Sequence, residues 1–279
     1  MKVLLFKYKW IRVKRALSLA VLAVFVAIAT TSCGKKNDVL VTEIGVSPPN
    51  RGTAKDSQSA QLYIQGLNMH VKGDSQGAIA AYTKAISLNP KYAAAYNSRG
   101  VAYFDLGNKQ EAIKNYNEAL RINANDAEAY NNRGNARASL GDKIGAIADY
   151  NEAIRLAPNY AEAYNNRGNA RAGNSDRSGA IADYDQAISL QPKYAIAYNN
   201  RGNARADGGD RQGAIADYNE AIRLNPKFGP AYNNRGNSRA ANGDKQGALG
   251  DLQRAASIFQ QQGNNQLYQQ VMNNIKELK

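Results

Sequence analysis

The ten residues AYNNRGNARA at 163–172 recur at 129–138 and 197–206, and return at 231–240 with serine in place of the second alanine. The offset is 34 residues each time, and it extends beyond this stretch. Tyr96, Tyr130, Tyr164, Tyr198 and Tyr232 keep it, as do Gly66, Gly100, Gly134, Gly168, Gly202 and Gly236. Ala78, Ala112, Ala146, Ala180, Ala214 and Ala248 keep it too. A fixed period of this length decides the fold class before any local motif does. Six repeats therefore run 59–92, 93–126, 127–160, 161–194, 195–228 and 229–262. Residues are placed below by their position in the repeat, Gly134 being the eighth place of the third.

Each repeat reads as two antiparallel helices. The stretch 128–140 carries an apolar and small-residue face and stops at Gly141, a residue free to adopt the left-handed conformation that ends helices. Asp142 is suited to cap a second helix, in which Ile147, Tyr150, Ala153, Ile154 and Leu156 recur at three- and four-residue spacing. Pro158 stops that helix. Small residues at the eighth and twentieth places, Gly134 and Ala146, predict a close approach of the paired helices. One hairpin cannot bury its own apolar face, whereas a stack of them buries a continuous core. The pattern predicts an all-α solenoid.

The period, the Gly134 and Ala146 pair, the aromatics Tyr130 and Tyr150, and Ala153 followed by Pro158 resemble the tetratricopeptide repeat. The resemblance covers 59–262 and implies a right-handed α-solenoid of six helix hairpins. Some places depart from it. Arg133 and Arg137 stand where the family usually has leucine and tyrosine, Ala124 replaces a closing proline, and Ser175 replaces the turn glycine of the fourth repeat. Leu252 and Gln260 stand in the sixth repeat where an aromatic and a proline are usual. Leu267, Val271, Ile275 and Leu278 on an otherwise polar stretch make 263–279 a capping helix, as the end of a solenoid needs.

Ahead of the repeats, residues 1–15 hold six Lys or Arg and no acid, and 16–32 (ALSLAVLAVFVAIATTS) hold no charge. A basic region, a short apolar run and small residues predict a secretory signal over 1–32. Cys33 is the sole cysteine, so it has no intramolecular disulfide partner. The run 29–33 resembles the bacterial lipobox, which implies a diacylglyceryl thioether on Cys33. Gly34 after the cysteine then points to the outer rather than the inner membrane, with the protein facing the periplasm. Residues 33–58, with their prolines, glycines and serines, read as a flexible tether.

The net charge is +13, of which six charges precede Cys33 without any acid, so the chain from Cys33 onward carries +7. The arginines recur at fixed places rather than in a run, which argues against a nucleic-acid surface. Arginine holds the seventh place in the second to sixth repeats (Arg99, Arg133, Arg167, Arg201, Arg235) and the eleventh in the third to sixth (Arg137, Arg171, Arg205, Arg239). Aspartate holds the twenty-third place only where both arginines are present: Asp149, Asp183, Asp217 and Asp251. The first repeat has Gln65, Met69 and Ala81 at these places and the second has Arg99, Tyr103 and Asn115. In the family both arginine places face the second helix, which implies structural ion pairs, one carboxylate accepting from two guanidiniums. A ligand role is the alternative.

Asparagines occupy the fifth place (Asn97, Asn131, Asn165, Asn199, Asn233), the sixth (Asn132, Asn166, Asn200, Asn234) and the ninth (Asn135, Asn169, Asn203, Asn237). In the family these places point into a concave surface, so the resemblance implies a groove for an extended partner segment, similar to the asparagine ladder of the O-linked N-acetylglucosamine transferase. An amide offers both donor and acceptor, which suits recognition of a peptide backbone. The alternative is a neutral polar face copied by duplication. No lysines accompany the asparagines as a carboxylate clamp would need.

His70 is the sole histidine and reads as a surface or packing residue. No cysteine pair, glycine-rich phosphate loop or nucleophile motif is present. The expectation is a non-enzyme with no cofactor, metal or small-molecule substrate, whose partners are other proteins and, through its lipid, a membrane. A peptide-binding adaptor, a pilotin-like lipoprotein assisting an outer-membrane complex, and a spacer without a ligand all fit that expectation.

Overall fold

A computed structural model describes residues 54–278; the predicted signal over 1–32, Cys33 and the tether up to residue 53 lie outside them. Every element among the described residues is an α-helix, and the chain divides between Ala124 and Asn125 into two compact lobes. The first lobe holds α1 (Ala54–Val71), α2 (Ser75–Leu88), α3 (Ala93–Asp105) and α4 (Lys109–Ile122). The second holds α5 (Ala127–Ser139), α6 (Lys143–Leu156), α7 (Ala161–Gly173), α8 (Arg177–Leu190), α9 (Ala195–Asp207) and α10 (Arg211–Leu224). It ends with α11 (Gly229–Ala241), α12 (Lys245–Gln261) and α13 (Asn265–Leu278).

One boundary differs from the sequence reading. Residues 54–58 are helix, not tether, because α1 begins at Ala54 and carries Asp56 in its first turn, where a carboxylate favours the helix dipole. The polar string that starts α1 resembles linker composition, while Ser59 and Tyr63 just beyond it are buried.

The hairpins share most of their local chemistry, although Asn108 makes no side-chain cap in the second repeat and Leu252 replaces the ring against Gly236 in the sixth. The first helix closes on a residue of positive φ, Gly141 at 89° in the third repeat. In the fourth repeat Ser175 adopts the same region at 66°, so the turn is kept although an L-residue is strained there. Asp142 then caps α6, its carboxylate accepting from the Gly145 N–H at 2.9 Å. The close approach of the two helices centres on the eighth-place glycine, but its partner is the tyrosine ring rather than the twentieth-place alanine. A Cβ on Gly134 would stand 2.6 Å from Tyr150 Cε1. Ala129, Ala136, Ala146, Tyr150 and Ala153 are all buried around this contact.

Stacking follows from the second face of each helix. In the second lobe each second helix packs on the next first helix, α6 on α7, α8 on α9 and α10 on α11. First helices also touch one another directly, α5 with α7, α7 with α9 and α9 with α11, with no comparable contact between second helices. The second lobe therefore curves toward its first helices, which line its inner face. The helix α13 packs on α12, burying Val271 and Ile275.

Candidate functional site

The seventh- and eleventh-place arginines and the twenty-third-place aspartate meet inside each hairpin of the second lobe. In the third repeat Arg133 donates to Asp149 Oδ1 from Nη2 at 2.6 Å and to Oδ2 from Nε at 3.0 Å, and Arg137 Nη1 also donates to Oδ2 at 2.8 Å. Asp183 receives Arg167 and Arg171, Asp217 receives Arg201 and Arg205, and Asp251 receives Arg235 and Arg239. Each carboxylate is buried, and a carboxylate taken out of water requires this kind of multiple donation. The pairing also explains the second repeat. Arg99 has no eleventh-place arginine beside it, and the neutral amide of Asn115 accepts from its Nε at 2.7 Å. In the first repeat Ala81 is buried and Met69 packs against the core without any charge.

A further role of the seventh-place arginine was not legible in the sequence. Its guanidinium lies over the fourth-place tyrosine of the same helix, Arg167 over Tyr164 at 5.4 Å, a cation–π geometry. Its remaining nitrogen crosses to the twenty-fifth place of the preceding repeat: Arg167 to Asn151, Arg201 to Asp185 and Arg235 to Asn219, at 2.6–2.8 Å. Burial by itself lowers the Arg201 pKa, but Asp217 and Asp185 together outweigh it and raise it above its ordinary value. One side chain thus joins two helices of one repeat and ties that repeat to its neighbour.

The asparagine rows divide in a way the sequence did not show. Fifth-place Asn131, Asn165 and Asn199 are buried, at 1, 3 and 5% exposure, and so do not present themselves to a ligand. Their oxygens accept from the sixth-place amide one repeat further on: Asn166 to Asn131, Asn200 to Asn165 and Asn234 to Asn199, at 3.0–3.1 Å. These bonds cross the seams between neighbouring first helices. The fifth-place row is a structural ladder, which corrects its placement in a peptide groove. Close approach of successive first helices is the physical reason. Asn132 is half-buried.

The ladder ends at Asn233. The next helix along the chain is α13, where the position one period after Asn234 is Tyr268 rather than asparagine, and the buried Asn233 oxygen has no partner.

Ninth-place Asn135, Asn169 and Asn203 lie toward the surface and accept from the tyrosine of their own hairpin. Tyr150, Tyr184 and Tyr218 donate to them at 2.7, 2.8 and 2.9 Å. Burial, the largest cause in each, raises the pKa of all three phenols well above its ordinary value. Asn237 is exposed and lacks such a tyrosine, since Leu252 fills that place; its oxygen faces Asn274 at 3.4 Å. On the first helix of the fourth repeat stands the exposed Glu162, whose carboxyl is raised first by partial desolvation and then by Glu128. Among the described residues no group of three or more His, Cys, Asp or Glu is placed to hold a metal, and no helix is long and apolar enough to cross a membrane.

Hairpins of two helices, a repeated small residue against an aromatic, and helix-to-helix stacking define a class of solenoid, and comparison with known proteins places the chain within it. The TPR repeat family matches at 70–107, 102–141, 134–175, 177–209 and 202–243, and the chain belongs to that family. Family membership supports a scaffold for protein–protein interaction. Comparison with curated proteins finds no match. Among solved structures, MamA is 30% identical with a TM-score of 0.53, over 58% of this chain and 95% of that one. YrrB, described as a TPR protein with an unusual peptide-binding site, is 22% identical with a TM-score of 0.52, over 64% of this chain and 92% of that one. PilF of Pseudomonas aeruginosa is 15% identical with a TM-score of 0.67, over 80% of this chain and all of the other, a likeness of fold.

Proposed function

We propose that the protein is an exported, lipid-anchored scaffold that holds an extended segment of a partner protein along the inner face of its second lobe. The observation that carries this reading is the ninth-place row. Asn135, Asn169 and Asn203 have their oxygens engaged by tyrosines, while their amide nitrogens meet no protein acceptor among the described residues. Stability needs the oxygens, and the nitrogens are left for something else. The arginines are consumed within the scaffold and contribute rigidity to it. The anchor is proposed from sequence: Cys33 follows a signal-like segment, and the several acyl chains of a bacterial lipoprotein give a stability that one chain does not.

Crosslinked recovery of partners from membranes tests the groove. Asn135, Asn169 and Asn203 changed together to alanine should abolish recovery with helicity retained, since alanine is the better helix former. Unchanged recovery with the fold intact moves binding to another face. For the anchor, Cys33→Ala should block palmitate incorporation; equal labelling of both proteins removes the lipid from the reading.

A further inference from the structure

The inner face of the second lobe sorts hydrogen-bonding groups by polarity. Fifth-place oxygens accept from the next repeat, and the sixth-place oxygens of Asn166, Asn200 and Asn234 accept from the amides of Asn165, Asn199 and Asn233 at 3.2–3.4 Å. Ninth-place oxygens accept from Tyr150, Tyr184 and Tyr218. What the ninth-place row leaves facing outward is donors. The tyrosines support this polarity, each phenol giving its one proton to the amide oxygen. At Asn203 a second donor, Asn234 Nδ2 at 2.9 Å, converges on the same oxygen and leaves that amide one orientation.

The row also has a spacing. Neighbouring first helices are in direct contact through the Asn–Asn bonds, and helices so packed lie about 8–10 Å apart. A polyproline II chain has three residues per turn and rises about 3.1 Å per residue, so carbonyls on one side recur every ~9 Å. A β-strand repeats on one side every ~6.7 Å and falls out of step after one repeat. Strand N–H groups would also be desolvated against this row without an acceptor, which is costly, whereas proline has no N–H to lose.

We propose that this face takes a proline-rich segment in the polyproline II conformation, every third carbonyl accepting in turn from Asn135, Asn169 and Asn203. Tyr150, Tyr184 and Tyr218 are the positioning residues. This rests on the inner face being the binding face, and it adds the chemical class of the ligand.

The test uses the full chain in detergent and a capped oligoproline of about nine residues, three turns of the helix, beside a Gly-Ser peptide of equal length. Calorimetric titration should detect the oligoproline and give it the tighter binding. Changing Asn135, Asn169 and Asn203 to Asp replaces outward donors by acceptors at nearly constant shape and should weaken binding roughly tenfold or more, three neutral hydrogen bonds being lost. Tyr→Phe at the three positioning residues should weaken it as well and should release the asparagine side-chain N–H resonances from their single environment. Should the tyrosine variant unfold, the aspartate set decides alone. Oligoproline binding no tighter than Gly-Ser, or indifferent to the aspartate set, overturns the proposal. If partner recovery from membranes still depends on the ninth-place row in that case, the groove stands as a general backbone reader and only its proline preference is lost. If recovery is indifferent too, the groove itself is refuted.

Discussion

Asp183→Ala asks how much the scaffold depends on one carboxylate. Asp183 is buried and accepts from Arg167 Nε at 2.9 Å, from its Nη2 at 2.5 Å and from Arg171 Nη1 at 2.9 Å. Removing one partner of a buried pair costs about 3–5 kcal/mol, largely because the other charge is left unpaired. The two arginines share that loss unequally. The Arg171 side chain is 27% exposed, with Asp176 at 3.7 Å, and can turn toward water. Arg167 is 15% exposed but keeps Asn151 and the Tyr164 ring. These remaining contacts put the expected loss at the lower end, about 3 kcal/mol. Arg167→Gln, Arg171→Met and Asp183→Ala together restore the first repeat's uncharged arrangement. That triple change should cost about 1–2 kcal/mol, since replacing a whole buried ion cluster is far milder than splitting it. Stability in a stack is a sum of repeat and seam contributions, so peptide-resolved hydrogen exchange is needed beside urea denaturation. The loss should concentrate in 161–194 and the seam before it. A triple variant as unstable as the single one refutes the account of a split charge cluster.

Three further outcomes follow from the geometry. Asn165→Ala removes the acceptor of Asn200 and should cost about 1–2 kcal/mol, whereas Asn233→Ala, whose oxygen has no partner, should be near neutral; equal losses in urea denaturation contradict a ladder. Ser175→Gly should stabilise the chain by about 1 kcal/mol by relieving a left-handed serine, read as a shift of the denaturation midpoint, and no shift contradicts it. The phenols of Tyr150, Tyr184 and Tyr218 have folded pKa values above their unfolded ones, so their contribution is complete below about pH 10 and is lost as pH rises beyond it. Absorbance titration should show these three ionising only with unfolding, by difference from a triple Tyr→Phe variant; early, reversible ionisation contradicts their burial.

Much of this was legible from the chain alone, for physical reasons that also set the limit. The 34-residue period, the turn glycine and the capping aspartate act within one hairpin, so Gly141 and Asp142 declare themselves locally. The Arg–Asp clusters were legible because internal copies vary: where the eleventh-place arginine is missing, as in the second repeat, the aspartate is too. What was hidden depends on seams. That Arg167 reaches Asn151 follows from how α6 packs on α7, and that Asn165 is buried beneath Asn200 follows from how closely successive first helices approach. Helix propensity marks asparagine as a mediocre choice but does not tell a ladder from a groove. The tyrosines that turn Asn135, Asn169 and Asn203 belong to the second helix, and only the packed hairpin shows which end of each amide is left outward.

The direction of the Asn–Asn bond has a consequence for heredity. It always runs from a sixth-place nitrogen to the fifth-place oxygen one repeat earlier, so one internal seam can stand in for another. Loss of 161–194 would deliver Asn200 to Asn131 and Arg201 to Asn151, the residues that now receive Asn166 and Arg167. Gain of the same span would insert one more identical joint. Unequal recombination can therefore lengthen or shorten the stack in whole steps without a new interface having to evolve. The reach of the inner face, and the number of outward amides along it, is inherited as a count.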